Sequence, residues 1–450
     1  MDPPSPIPRE VTVARRTDRY ARAPAATAAC ISALLLAPSA SAQSEDLAIQ
    51  FEDFGFTAPA DPSARANAIS APAAMVSDVT ALVYNPAGLS RVKRRNATVS
   101  YGWRSQDYDY TFGGQSQTST SDASGLGIVG VAFPIPVLRG SLVPAASVHR
   151  AFSSERVLRY SGLNVPDGRD DAYFLQQSGA TYAYTLGVSV DVSGTFSLGG
   201  SLSFLDGNID LLRQYEYQPH VPQPQTRTFV LDSAELQVTG VVGRLGLEVY
   251  AHRHLQLAVV LTSRQPLDVN GTRVREVTTQ VDNDVGSFTR ETTAPSTEYV
   301  LPYRVDAALA MPWGPVSVAA QAGYSDWTQA TIDGHTLNIQ RGEAVLRSVV
   351  DLRGGMEWST PVRGLRVRGG IAHARGALSF MQADRVDEDR LERIASESGR
   401  TRLSLGAGLL VGARITVDAA YENIQGERSA ETVGDRLEAA GVLVQGSYWF

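Results

Sequence analysis

Residues 182–204 read YAYTLGVSVDVSGTFSLGGSLSF, and their alternation decides the fold. Tyr182, Tyr184, Leu186, Val188, Val190 and Val192 alternate with Ala, Thr, Gly, Ser and Asp. After Ser193-Gly194 the same phase resumes as Phe196, Leu198, Gly200, Leu202 and Phe204. Side chains two residues apart share one face of a strand, so this is a hairpin with one apolar and one small or polar face. The period recurs to the end of the chain, as in Val316, Val318, Ala320, Ala322, Tyr324 and in Leu403, Leu405, Ala407, Leu409, Val411.

Turn signals divide residues 96–450 into fourteen strands, near 96–112, 123–135, 142–157, 178–192, 195–213, 229–251, 254–280, 293–311, 315–340, 344–359, 364–381, 398–412, 414–432 and 436–450. Short connections (Ser193-Gly194, Ala251–Arg253, Pro312–Gly314, Pro361–Arg363, Gly412-Ala413) alternate with long polar ones such as TFGGQSQTSTSD and YEYQPHVPQPQTR. That rhythm fits an antiparallel transmembrane barrel with tight turns at one rim and long loops at the other. In hydrocarbon an unpaired strand edge costs several kcal/mol per polar group, so the sheet must close. A secreted all-β protein is the alternative, but it has no reason to alternate short and long connections.

Composition narrows the function. Charged residues are 19% of 450 and the formal net charge is −7. Five of the 40 basic and three of the 47 acidic residues lie in 1–42, leaving 35 basic and 44 acidic residues beyond, a net −9 that gives nucleic acid no purchase. Residues 1–42 read as an export signal: Arg15, Arg16, Arg19 and Arg22, the apolar run AACISALLLA, then Ala40-Ser41-Ala42 as the cleavage site. The only cysteine, Cys30, falls inside it, so the mature chain is expected to lack disulfides and thiolate metal sites. No nucleophile elbow appears, and GLGIVG at 125–130 lacks the βαβ context of a dinucleotide site. His252-Arg253-His254 has no third ligand nearby and reads as a solvated turn. No enzyme activity, cofactor or metal is expected.

Residues 43–95 do not alternate. They are Ala-rich and broken by Pro59, Pro62, Pro72 and Pro86, too apolar to lie in water and too irregular to lie in lipid. A fourteen-stranded barrel is too wide for its own side chains to fill, and a plug from the N-terminus meets both needs. The stretch RANAISAPAAMVSDVTALVYNPAGL (65–89) resembles the N-terminal signature of the FadL-type long-chain fatty acid and aromatic hydrocarbon transport proteins of the outer membrane. LPYRVDAALAM (301–311), VAAQAGYSDWTQATI (318–332), DLRGGMEWSTPVRGLRVRGGIAHARGAL (351–378) and RLSLGAGLLVGARITVDAAYENIQG (402–426) are similar to later segments of the family.

The resemblance implies a hatch inside the barrel, passive uptake of hydrophobic small molecules from outside, and lateral exit into the membrane. It puts Asn85, Pro86, Ala87 and Gly88 in the hatch turn and leaves Phe51, Phe54 and Phe56 as substrate contacts, although QSEDLAIQFEDFGF (43–56) is longer and more acidic than the family's opening. By alternation Arg104, Arg244, Arg366 and Arg368 face the lumen, where they either pair with a substrate carboxylate or satisfy Glu248 and its neighbours. Tyr448 and Phe450 close an amphipathic last strand of the kind that outer-membrane assembly machinery recognises. DRVDEDRLERIASES (384–398) reads as a charged outer-loop helix able to meet lipopolysaccharide through divalent cations. A monomer is expected. The second reading is a PorV-like barrel that binds a partner in protein secretion; the third is a general porin.

Overall fold

The computed structural model describes residues 60–450 apart from 113–114, 138–139, 165–167, 221–225, 282–283, 337–345, 378–395 and 430–432. Fourteen antiparallel strands close a ring. They are β1 (Asn96–Phe112), β2 (Gln115–Ala132), β3 (Ser141–Ser153 and Arg156–Asn164), β4 (Arg169–Asp191), β5 (Phe196–Pro219), β6 (Thr226–His252) and β7 (Leu255–Thr262 and Gln265–Val281). The ring continues through β8 (Asp284–Thr293, Ser296–Leu301 and Arg304–Trp313), β9 (Val316–Asp326, with Thr331–Ile332 beyond a 3-10 turn), β10 (Ser348–Ser359), β11 (Leu365–Ala374), β12 (Ser396–Val411), β13 (Ile415–Ser429) and β14 (Val433–Trp449). β14 pairs with β1 from Asn96↔Trp449 to Phe112↔Val433, which consumes the free edge that the last strand offers before assembly.

All fourteen expected strands are present, and the first begins at Asn96 as read. Their outer ends differ. TFGGQSQTSTSD is mostly strand, because β1 and β2 run on as a paired ribbon to Phe112↔Gln115. Likewise β5 reaches Pro219 and β6 starts at Thr226, inside the expected loop YEYQPHVPQPQTR. Backbone pairing continues above the lipid whether or not the side chains are apolar, so hydrophobic alternation marks only the part in lipid. Residues 384–395 of the expected loop helix lie outside the described residues, and Ser396 already belongs to β12.

The wall is inside-out relative to a soluble protein. On β4, Leu186 is 62% exposed while its neighbour Thr185 is 2% exposed. Val99, Leu202, Leu245, Val259, Leu352, Leu405 and Val444 carry the apolar outer face around the ring, and Ser100, Ser203, Gln321, Ser404 and Gln445 face inward, buried. Tyr448 and Phe450 lie exposed on that outer face with their rings stacked 5.7 Å apart. Such a surface fits hydrocarbon as its solvent. No helix among the described residues is long and apolar enough to cross a membrane, which leaves the strands to do so.

The short-turn half of the lumen is filled by residues 60–95. They form α1 (Ala64–Ile69), a 3-10 turn at Pro72–Ala74, α2 (Ala81–Tyr84) and a second 3-10 turn at Pro86–Arg91. Ser63 caps α1 by accepting from the Ala66 amide, and Ser70 ends it in the left-handed region. These helices are too short to be stable alone, and burial holds them. Ala64, Ile69, Ala74, Val79, Leu82 and Leu89 are all fully enclosed.

Candidate functional site

The hatch is fastened to the wall by paired polar groups at each stage of its path. Ser63 Oγ donates to Gln445 Oε1 at 2.8 Å, Asn67 Nδ2 to Glu422 Oε2 at 2.7 Å, and Gln256 Nε2 to the Ala74 carbonyl at 2.6 Å. Ser70 and Ser404 share a hydroxyl contact of 2.8 Å, and Arg91 sits 3.4 Å from Glu248. Inside a low-dielectric lumen each such group is costly if left unpaired, so the set specifies one seating.

Asn-Pro-Ala-Gly is the hinge of that seating. Asn85 is buried; its Oδ1 accepts from the Ala87 amide at 3.1 Å and its Nδ2 donates to the Ala73 carbonyl at 2.8 Å, tying two hatch segments together. Pro86 opens the 3-10 turn, where its missing N–H leaves nothing unsatisfied. The turn lies against Gly199 on β5 and Gly246 on β6, which face each other in the ladder. A Cβ on Gly199 overlaps Pro86 and Ala87, and one on Gly246 overlaps the Asn85 amide oxygen, so the wall thins to backbone where the hatch touches it. Gly88 is equally constrained: its Cβ would stand 2.9 Å from the Val76 carbonyl oxygen. Replacing Asn85 with Ala strands the Ala73 carbonyl and the Ala87 amide. The expected loss is about 2–4 kcal/mol of hatch stability, read as faster hydrogen exchange of residues 64–91 with the barrel amides unchanged.

Above the hatch lies a cavity of about 440 Å³. Its floor includes Asp61, Val83 and Tyr84. Burial pushes the Tyr84 phenol well above its ordinary value, so it stays a donor, 3.3 Å from Asp61 Oδ1. One side of the cavity is ionic. Arg104 reaches Glu422 Oε1 through Nε at 3.1 Å and Nη2 at 2.7 Å, Arg402 pairs with Asp61, and Arg304 bridges Asp306 at 2.6 Å and Asp351 at 2.5 Å. Nine arginines against four carboxylates (Asp61, Glu155, Asp306 and Asp351) line it among the described residues, in a chain whose net charge is negative.

The other side is apolar. Phe152, Ala183, Leu205, Val242, Leu301, Trp327 and Val349 face the cavity and belong to a cluster that continues upward through Ile209, Leu236, Val238, Leu267 and Val269. The upper residues show a reversal of phase. On β6, Val241 and Leu245 are apolar and point out; nearer the long loops, Glu235 and Gln237 point out while Leu236 and Val238 point in. β5 repeats the reversal with Asp206 and Asp210 out and Leu205 and Ile209 in, and β7 with Asp268 out and Leu267 and Val269 in. Three adjacent strands thus leave the lipid with a wet exterior and an oily interior. Sequence reading missed this funnel; the signal was there, as apolar residues changing parity within one strand.

The expected arginines divide by depth. Arg104 and Arg244 line the cavity, and Arg244 Nη1 is 3.5 Å from Ser203 Oγ. Arg368 and Arg366 do not reach it. Arg368 is buried between Glu357 (2.7 Å) and Asp418 (2.5 Å), Arg366 pairs with Glu357 at 3.2 Å, and Arg65 of the hatch shares the same carboxylate at 3.8 Å. They are structural charges beside the hatch, since alternation reports the face of a strand and not the depth along it. Glu248 serves the hatch instead, through Arg91. Phe51, Phe54 and Phe56 lie outside the described residues.

Among the described residues the wall's ladder is interrupted between β2 and β3. β2 and β3 share a ladder only from Ile128↔His149 to Ala132↔Ala145, although both strands run on for many residues. Farther out they touch through side chains, with Gln117 Nε2 donating to the Ser161 carbonyl at 2.7 Å and Ser119 Oγ accepting from the Arg159 amide at 2.9 Å. Between these contacts β3 breaks at Ser154-Glu155 and its register on β4 slips between Arg150 and Phe152.

A closed ring of fourteen strands, a lumenal N-terminal hatch and an interrupted ladder are together a recognisable design. The chain has the FadL-type fold. The crystal structure of the Pseudomonas putida toluene transporter TodX matches 86% of this chain and 97% of its own length at 12% identity, with a TM-score of 0.61. A Pseudomonas aeruginosa FadL homologue matches 85% and 96% at 13% identity and a TM-score of 0.57. The Ralstonia pickettii toluene transporter TbuX matches 86% and 97% at 13% identity and a TM-score of 0.58. No protein-family model and no curated protein sequence matches the chain. The FadL-type fold therefore rests on three-dimensional similarity, and GLGIVG takes its place in it as part of β2: Gly127 and Gly130 have no room for a Cβ against Pro62 and Val79 of the hatch.

Proposed function

We propose that this protein is a passive channel of the bacterial outer membrane that takes up hydrophobic small molecules and releases them sideways into the bilayer. The observation that carries the reading is the apolar funnel: Leu236, Val238, Leu267 and Val269 line the lumen where the outer surface has turned polar. These four are packed against one another, and the cluster they form opens onto the cavity through Phe152, Leu205, Val242, Leu301, Trp327 and Val349. Apolar surface lining a cavity costs about 25 cal/mol per Å² unless something apolar covers it, and a ligand can do so. The hatch blocks the straight path downward, and the β2–β3 gap offers a path through the wall. Exit into lipid is then driven by partition, with no need of an energy source. The excess of arginine around the cavity favours chains with an acidic head, such as long-chain fatty acids, over neutral hydrocarbons. The solved neighbours named as toluene transporters make monoaromatics the natural competitor.

The test places a charge in the funnel. Leu236→Asp with Val238→Asp should lower uptake of a labelled long-chain carboxylate at least about tenfold, since a buried carboxylate opposes both an apolar tail and an anionic head. Heat-modifiable mobility on a gel checks that the barrel still assembles. Unchanged uptake by an assembled double variant contradicts the reading. Nothing in the lumen favours the PorV-like or general-porin alternatives.

A further inference from the structure

We propose that Arg150 is the latch of the β2–β3 gap and that an anionic head group releases it; the inference rests on the lateral-exit reading above. Arg150 is the first residue of β3 beyond the end of the ladder at His149. Its Nη2 crosses the gap and donates to the Ser124 carbonyl of β2 at 2.8 Å. The guanidinium rests on Gly125, whose φ of +154° and bare Cα make room for it; any Cβ there would overlap Nη2. Arg150 also lines the cavity, so one side chain stands between the binding space and the membrane.

Its bonding is incomplete for a half-buried cation. Among the described residues no carboxylate lies within ion-pair distance of Arg150, and its Nε is buried without a hydrogen-bond partner. Glu155, at the break in β3, likewise has Oε2 buried and unpartnered. The hydrogen bond that holds the latch is therefore to a neutral carbonyl, while Glu155 attracts Arg150 through space without a direct contact. A carboxylate forms charge-assisted, often two-pronged bonds to guanidinium that are roughly twice as strong as neutral ones. An acid arriving from the cavity displaces Ser124 from Arg150, the head passes the gap as a paired ion, and the tail follows into lipid. A neutral hydrocarbon offers Arg150 nothing in exchange. The gap is on this account the selective step, distinct from the apolar funnel that captures either molecule.

Uptake of a labelled long-chain carboxylate and of a neutral hydrocarbon of similar length, measured side by side in cells making the full chain, tests this. Arg150→Gln keeps a donor for Ser124 but has no charge, and Arg150→Ala removes both. The ratio of acid to neutral uptake should fall about tenfold in Arg150→Gln and further in Arg150→Ala, with Arg150→Lys recovering part of it. Barrel assembly is checked by heat-modifiability, and Arg150→Gln carries the test if the Ala variant does not assemble. An unchanged ratio in assembled Arg150→Gln overturns the latch. That failure is separable from failure of lateral exit, because a cross-link across the gap reports exit regardless of which side chain guards it. If the cross-link stops uptake while the ratio in Arg150→Gln is unchanged, exit stands and the latch is gone; if the cross-link has no effect, both fall.

Discussion

Deleting residues 60–91 should convert a closed barrel into an open, water-filled pore. The ring depends on the β1–β14 pairing that begins at Asn96 and on the other strand ladders, none of which includes hatch backbone. The hatch contributes Ile69, Ala74, Leu82 and Leu89 to the short-turn half of the lumen. Without them, Glu422, Glu357 and Glu248 face a channel that water can enter, and their burial penalty disappears along with their hatch partners. Planar-bilayer recordings should show large, steady conductance for the deletion and near-silence for the full chain. The same deletion should abolish discrimination between hydrophobic and small polar solutes in liposome swelling. A deleted barrel that assembles and stays impermeable would show that something other than this segment closes the lumen.

Bridging the gap between β2 and β3 should stop uptake altogether. Ser124 and Ser153 flank the interruption, and Cys30 is the only cysteine of the sequence, so Ser124→Cys with Ser153→Cys gives a site-directed pair. A short cleavable thiol cross-linker should reduce hydrophobic uptake to the background of cells lacking the protein, with recovery on reduction. Each single variant treated alike serves as control. The effect is expected to be all-or-none because the hatch leaves no other way out: its wall contacts run from Ser63–Gln445 through Asn67–Glu422 to Gln256–Ala74. Full uptake in the cross-linked form would send the substrate past the hatch instead.

Much of the fold could be read before the structure because lipid imposes a strict rule. A strand in hydrocarbon must present apolar residues at every second position, and β4 and β5 do so through both sides of Ser193-Gly194. Above the lipid the rule lapses, which is why the outer part of β2, from Gln115 to Asp122, went unread as strand. The funnel escaped for a related reason: Leu236 and Val238 keep the period but change parity, and a search for one apolar face treats that as noise. The Asn85 turn was legible as a motif, yet its reason, a paired glycine floor at Gly199 and Gly246, needs contacts between residues more than a hundred positions apart. Arg366 and Arg368 pair with Glu357 and Asp418 away from the cavity, a depth along β11 that alternation does not report. The β2–β3 gap has no sequence signal at all, since alternation on each strand says nothing about whether two strands share a ladder.

The most direct test of the account is native mass spectrometry of the protein extracted from its own outer membrane and released gently from detergent. The account predicts one copy of the processed chain carrying an apolar or acid-headed small molecule, lost when Leu236 and Val238 are both changed to Asp. A chain that emerges with an empty lumen and a stoichiometric protein partner would contradict it.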